Sequence, residues 1–255
     1  MEQYICKNCG NEFSGTFCNN CGQKPAHRLD AKHIAHEVAH VFTHADRGIF
    51  AFIPKIITQP GVVALDYVEG KRKKHFNIFQ YLIIIVGVVV FIVSKTHFLE
   101  NTIKDYNAGE ASQRMSMVQQ GITRLMQKYF NVILFAFIPV YALVSLLLFR
   151  KKGYNFAETV VLHCCIQAQQ NTISLVTLTL VYFIGTSSVF YLMFFPLMVA
   201  VFCTGLAFRQ FFKVSWLQAV VKAIASFLIV NILQLIVIFA TILIIYGPAI
   251  FKDAK

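Results

Sequence analysis

Two short stretches carry the clearest chemistry in this chain. Cys6-Lys7-Asn8-Cys9-Gly10 and Cys18-Asn19-Asn20-Cys21-Gly22 are two copies of one CxxCG pattern. Two thiolates separated by two residues can both reach a single zinc ion. The glycine after each second cysteine tolerates the left-handed turn that aims backbone N–H groups at the sulfurs. Together the pairs define a closed, structural Cys₄ site for one Zn²⁺, with no position left for a water. Four of the seven cysteines fall between positions 6 and 21, which is metal spacing rather than a disulfide framework. Phe13 and Phe17 are the expected apolar filler, and metal binding should supply most of the folding energy of so short a segment. Cys164, Cys165 and Cys203 lie in apolar stretches, where a reduced, structural thiol is the default.

His36-Glu37-Val38-Ala39-His40 spells HExxH. On a helix this spacing sets both imidazoles on one face, with Glu37 placed to activate a zinc-bound water. A third ligand would be needed, and Glu158 or His163 are the candidates. The pattern arises in a segment that also holds His33 and His44, and its histidines occupy the polar side of an amphipathic pattern. A solvated histidine face is therefore preferred to catalysis, with a non-catalytic metal or pH response as the remaining alternative.

A third constellation sits in an apolar run. His163, Gln167, Gln170 and Ser174 recur at helical spacing, with Gln169 and Asn171 beside them. Asn231 and Gln234 are three apart in the last apolar run and are placed to face the same region. Such groups in a membrane face the bundle or a wet cavity. Two readings stay open: a polar site or passage with His163 as its titratable member, or hydrogen bonding between helices. Glu158 reads as an interfacial charge paired with Lys151 or Lys152. No glycine-rich phosphate loop or nucleophile elbow appears.

The elements that must position these residues follow from composition. Of 255 residues, 57% are hydrophobic and 14% charged, far from the roughly 25% charged of a soluble domain. An all-α polytopic membrane protein is expected, with about 20 apolar residues needed per span. Five segments qualify, near 78–98, 130–149, 160–184, 189–208 and 223–246, and Tyr81, Tyr129, Tyr182, Trp216 and Tyr246 fall near their ends as interfacial aromatics do. Ahead of them, residues 1–26 form the ribbon, and residues 27–77 an interfacial helix and a hinge. From Asp30, a plausible N-cap, the helix places Ile34, Val38, Val41, Phe42, Ile49 and Phe52 on one side and the histidines on the other. Pro60-Gly61 breaks that helix, and Gly70 suits a C-cap. Lys71, Arg72, Lys73 and Lys74 then form a cationic run suited to anionic headgroups.

Arg150, Lys151, Lys152, Arg209 and Lys213 fall on the same side as that run if there are five crossings. This predicts a cytoplasmic N-terminus and an extracytoplasmic C-terminus. A reducing compartment also suits free zinc thiolates. The first twenty residues are polar and lack the apolar core of a signal peptide. Residues 110–129 read as a second interfacial helix. The net charge of +11 lies beside apolar segments rather than on a stripe with interleaved aromatics, so nucleic-acid binding is not expected.

The combination of paired CxxCG, an amphipathic helix, Thr58-Gln59-Pro60-Gly61, Tyr67, Gly70-Lys71-Arg72 and Phe76-Asn77 resembles a bacterial membrane family known as domain of unknown function 3667. The resemblance implies an inner-membrane location and a bound zinc, and it implies no activity. The five-span core with a cytoplasmic head more loosely resembles the Yip1-like membrane proteins at fold level. The expected function is that of a non-enzymatic membrane protein whose head recruits or organises a partner, a protein or a second copy of itself, while the bundle anchors it and offers a lipid or partner groove. A transporter using the polar face of the third span is the alternative, and an HExxH metallopeptidase a more remote one.

Overall fold

The computed structural model describes residues 3–31, 34, 48–95, 135–184 and 189–253. Strands β1 (Gln3–Ile5) and β2 (Glu12–Ser14) form an antiparallel hairpin in which Tyr4 pairs with Phe13. Seven α-helices follow among the described residues: α1 (Ile49–Thr58), α2 (Pro60–Val68), α3 (Ile78–Lys95), α4 (Phe135–Leu148), α5 (Phe156–Ile184), α6 (Val189–Phe212) and α7 (Trp216–Asp253). A 3₁₀ turn, Arg150–Lys152, links α4 to α5.

Helix α5 is the centre of the bundle, packed by α1, α2, α3 and α6, while α7 packs along α6. The core runs through Ile56, Val63, Tyr67, Tyr81, Leu162, Phe208 and Phe211. Helices α3 and α5 each begin on a side-chain cap. Asn77 Oδ1 accepts the N–H groups of Phe79 and Gln80 at the start of α3. At the start of α5, Asn155 and Glu158 form a reciprocal capping box, Asn155 N to Glu158 Oε2 at 2.8 Å and Glu158 N to Asn155 Oδ1 at 2.9 Å.

The break foreseen at Pro60-Gly61 is a 109° bend between α1 and α2, with Pro60 at the first position of α2, where its missing N–H costs nothing. Helix α1 itself starts afresh at Gly48, whose φ of 134° lies in the left-handed region, so a single helix does not run from Asp30 through Phe52. The HExxH residues His36, Glu37 and His40 lie outside the described residues. So do residues 110–129 and the 185–188 turn.

Among the described residues, two helices are long and apolar enough to cross a membrane, over Phe195–Phe212 and Trp216–Thr241, or three if the bent α1–α2 pair counts as one. The five spans expected are therefore not all reproduced. Helices α3 and α4 are apolar but short in their described lengths. Helix α5, at 29 residues, is long enough, but Glu158, His163 and a run of amides interrupt its apolar character. Tyr81, expected at an interface, is instead buried, its hydroxyl 2.8 Å from Thr172 Oγ1. Trp216 is 40% exposed, with the Arg209 guanidinium 4.7 Å over its ring.

Candidate functional site

The two knuckles fold alike because the same residues recur at the same offsets. In the first, Cys6 N donates to Asn11 O and Gly10 N to Cys6 O; in the second, Cys18 N donates to Gln23 O and Gly22 N to Cys18 O. Gly10 and Gly22 have φ of 74° and 71°, the left-handed conformation that glycine adopts at no steric cost. The hairpin then brings the knuckles face to face, and the sulfurs of Cys6, Cys9, Cys18 and Cys21 all lie within 4.8 Å of one another. Cys6 Sγ is 3.5 Å from Cys21 Sγ, and Cys9 Sγ is 3.6 Å from Cys18 Sγ. A zinc tetrahedron with arms of about 2.3 Å has edges of about 3.8 Å, so the four thiols could hold a metal ion with little movement. Phe13 is buried against Tyr4 as expected, whereas Phe17 is 54% exposed beneath Lys24 rather than filling the centre.

The electrostatics of the cluster are uneven. The N–H of Cys21 draws the Cys18 thiol down to about 6, while burial pushes Cys6 up to about 11. Burial opposes ionisation of Cys21 as well, but the Gln23 N–H and the neighbouring thiols bring it below its ordinary value. Thiolate is thus favoured on the second knuckle, the form a metal requires.

The head docks on the turn between α2 and α3. Gln23 Nε2 donates to Gly70 O at 2.6 Å, and Gln23 Oε1 accepts from Arg72 N at 3.0 Å and Lys73 N at 3.2 Å. Arg72 Nη2 reaches His27 O. Farther on, Arg28 grips Glu158 with two nitrogens at 2.8 and 3.2 Å, and Asn155 Nδ2 holds Leu29 O. Glu158, 4% exposed, therefore pairs with Arg28 and not with Lys151 or Lys152, and it is committed to its own capping box rather than free to serve a distant metal.

The cationic run is partly neutralised from within. Buried Asp66 accepts Lys74 Nζ at 2.6 Å and Lys71 Nζ at 3.2 Å, and its Oδ2 lies 2.9 Å from His75 Nε2. Burial alone would raise the Asp66 carboxyl, but Lys74, His75 and Lys71 outweigh it and hold it at about 2. Burial lowers His75 despite Asp66. Lys71 is shared with Glu69, and Arg72 lies over the Tyr67 ring. Of the four cations, Lys73 and Lys74 carry exposed side chains.

The polar residues of α5 separate into different tasks. His163 Nε2 is 2.6 Å from Ser145 Oγ on α4, walled by the rings of Tyr141 and Phe208. Both partners are buried, so this Ser–His pair offers no face to a substrate. Gln170 Nε2 reaches Ala200 O and Thr204 on α6. Asn171 and Asn231 bond back to Gln167 O and Phe227 O of their own helices. Gln167 and Gln234 are half-buried.

Two glutamines hold the bend between α1 and α2: Gln169, which the sequence places only beside the polar stripe of α5, and Gln210, which no motif in the sequence singles out. Gln169 Nε2 donates to Ile57 O at 2.6 Å. Gln210 holds both sides of the bend: its Nε2 donates to Thr58 O and its Oε1 accepts Gly61 N, each at 3.0 Å. Gly61 lies so close to α6 that an added Cβ would sit 2.4 Å from Ala207 O. The only sequence signal for these partners was an amide in an otherwise apolar helix.

A mostly helical chain with, among the described residues, two to three membrane-competent helices and a four-cysteine head defines a class of apolar helical protein with a candidate metal centre. Residues 46–90 match the family model described as protein of unknown function (DUF3667), the family that the ribbon and the PG-to-GKR stretch resemble. That match covers α1, α2 and most of α3 together with the cationic turn. No curated protein and no solved structure matches the chain.

Proposed function

We propose that this is a non-enzymatic integral membrane protein of the bacterial cytoplasmic membrane, in which a zinc-loaded Cys₄ head is clamped to a helical bundle and presents a surface to a partner. The carrying observation is the Gln23 clasp, which fixes the head on the cationic turn rather than leaving it on a free linker. In this reading the chain crosses the bilayer five times, with the head in the cytoplasm and the bent α1–α2 pair as a bracket at the surface. Support for lipid contact comes from α7, where Leu217, Val221, Leu228, Leu235 and Phe239 are exposed beyond what a water-soluble monomer of this size tolerates. The zinc, the compartment, the partner and any self-association belong to this proposal. Among the described residues, the α5 amides Gln169 and Gln170 bond to neighbouring helices and Asn171 to its own, and none of these bonds supports the permeation alternative.

The test joins fractionation to metal analysis. Expected are extraction only by detergent and one zinc per purified chain. Labelling of a thiol in the head of intact cells by an impermeant reagent after chelation would overturn the orientation, and recovery as a detergent-free soluble monomer would overturn the membrane reading.

A further inference from the structure

The metal head and the cationic turn meet at one glycine. Gly70 has φ of 96°, and a Cβ there would sit 2.9 Å from Ala26 Cβ and 2.9 Å from Lys7 Cδ. Lys7 lies between the two cysteines of the first knuckle. Gln23 closes the second knuckle with its backbone, accepting Cys18 N at 2.9 Å, and holds the turn with its side chain through three hydrogen bonds. Both knuckles therefore bear on residues 70–73, one by contact and one by an amide. Gln23 is 5% exposed, so water does not compete freely for its groups, and each of its bonds depends on the position of the second knuckle.

We infer that Gln23 is a coupling residue through which metal occupancy of the four cysteines sets the conformation of the Gly70–Lys74 turn, and with it the presentation of that basic surface to anionic headgroups. A head of this size cannot keep its shape without the ion. When the metal leaves, the second knuckle relaxes, Gln23 loses its fixed backbone, and the Arg72 and Lys73 N–H groups lose their acceptor. The turn then keeps its contacts to the end of α2, among them Lys71 N to Asp66 O at 2.8 Å, the Lys71 and Lys74 side-chain pairs with Asp66, and Lys71 with Glu69.

This inference rests on the metal-centre reading, and the test separates the two. The full-length protein is placed in nanodiscs containing phosphatidylglycerol, loaded with zinc or stripped with a chelator, and amide hydrogen exchange is followed over the turn. Stripping should speed exchange of the Arg72 and Lys73 amides by about tenfold or more. In Gln23→Ala, zinc stoichiometry should stay at one, while exchange is fast in the loaded protein and changes less than about twofold on stripping. A zinc-loaded protein whose turn ignores chelation, or a Gln23→Ala variant that responds as the parent does, overturns the coupling alone. A protein that binds no metal overturns the metal centre and the coupling with it.

Discussion

The knuckles of the head and the elbow between α1 and α2 are both sharp reversals of the chain, and they are held by opposite means. Each knuckle closes on itself: its hydrogen bonds join residues four or five apart, and its remaining demand is for a metal. The elbow closes on partners far away in sequence, Gln169 at a separation of 112 residues and Gln210 at separations of 149 and 152. A helix break strands carbonyls and N–H groups that must be satisfied when water is excluded. At the elbow two side-chain amides take that role. In the proposed reading the head thus depends on a bound metal, and the elbow on the completed bundle.

That difference can be broken from either side. The largest effect is expected at the head: Cys18→Ser should abolish stoichiometric zinc binding and unfold the hairpin, because the ion contributes on the order of 10 kcal/mol in such sites. The check is metal analysis together with protease sensitivity of residues 3–31, with the bundle's melting in detergent little changed. Next is Gly61→Val, which drives a side chain into the Ala207 carbonyl. Overpacking of this kind costs about 3 kcal/mol, seen as a lower melting temperature of the bundle with zinc content unaltered.

Acid should act on the hinge between the two regions. Asp66 is held at about 2 against an ordinary 3.8, so the folded state favours its ionised form. Its contribution, about 2 kcal/mol at most and less after screening of the half-exposed Lys74, is complete above pH 4 and is lost as pH falls through about 2. His75 is also depressed, so the unfolded chain takes up its proton more readily, and its contribution likewise declines as pH falls below 6.5. Asp66→Asn should remove the lower part of this dependence. The comparison belongs in metal-stripped protein, where thiolate protonation does not intrude, and an unchanged profile would count against the Asp66 assignment. The smallest effect is expected from Gln210→Leu, which removes the acceptor of Gly61 N and an exposed bond to Thr58 O at about 1 kcal/mol, measured by chemical unfolding in detergent.

The same contrast explains what was legible in the sequence. CxxCG fixes its geometry within five residues, so the cluster and its glycine conformations could be read directly. Pro60-Gly61 announced a break for the same local reason. Which residues satisfy that break could not be read, because an amide at 169 looks no different from one at 167 until α5 is packed. Gln169 turns toward α1, while Gln170 turns toward α6 and Asn171 back to its own helix. The pairing of Arg28 with Glu158 was hidden in the same way by 130 residues of intervening chain. The family match over residues 46–90 falls on the part where local and distant constraints coincide. Within it, Asn77 caps α3, Gly61 admits the α6 backbone, and Gly70 admits the head.

One consequence follows from the length of α7. Its apolar run, Trp216–Thr241, is 26 residues, about 39 Å of helix at 1.5 Å per residue, against a hydrocarbon thickness of about 30 Å. In the proposed membrane setting, with the Arg209–Trp216 pair at the headgroups, the surplus would be absorbed by leaning the rod or by stretching nearby acyl chains. In that setting, lipids with longer tails should seat this helix with less distortion.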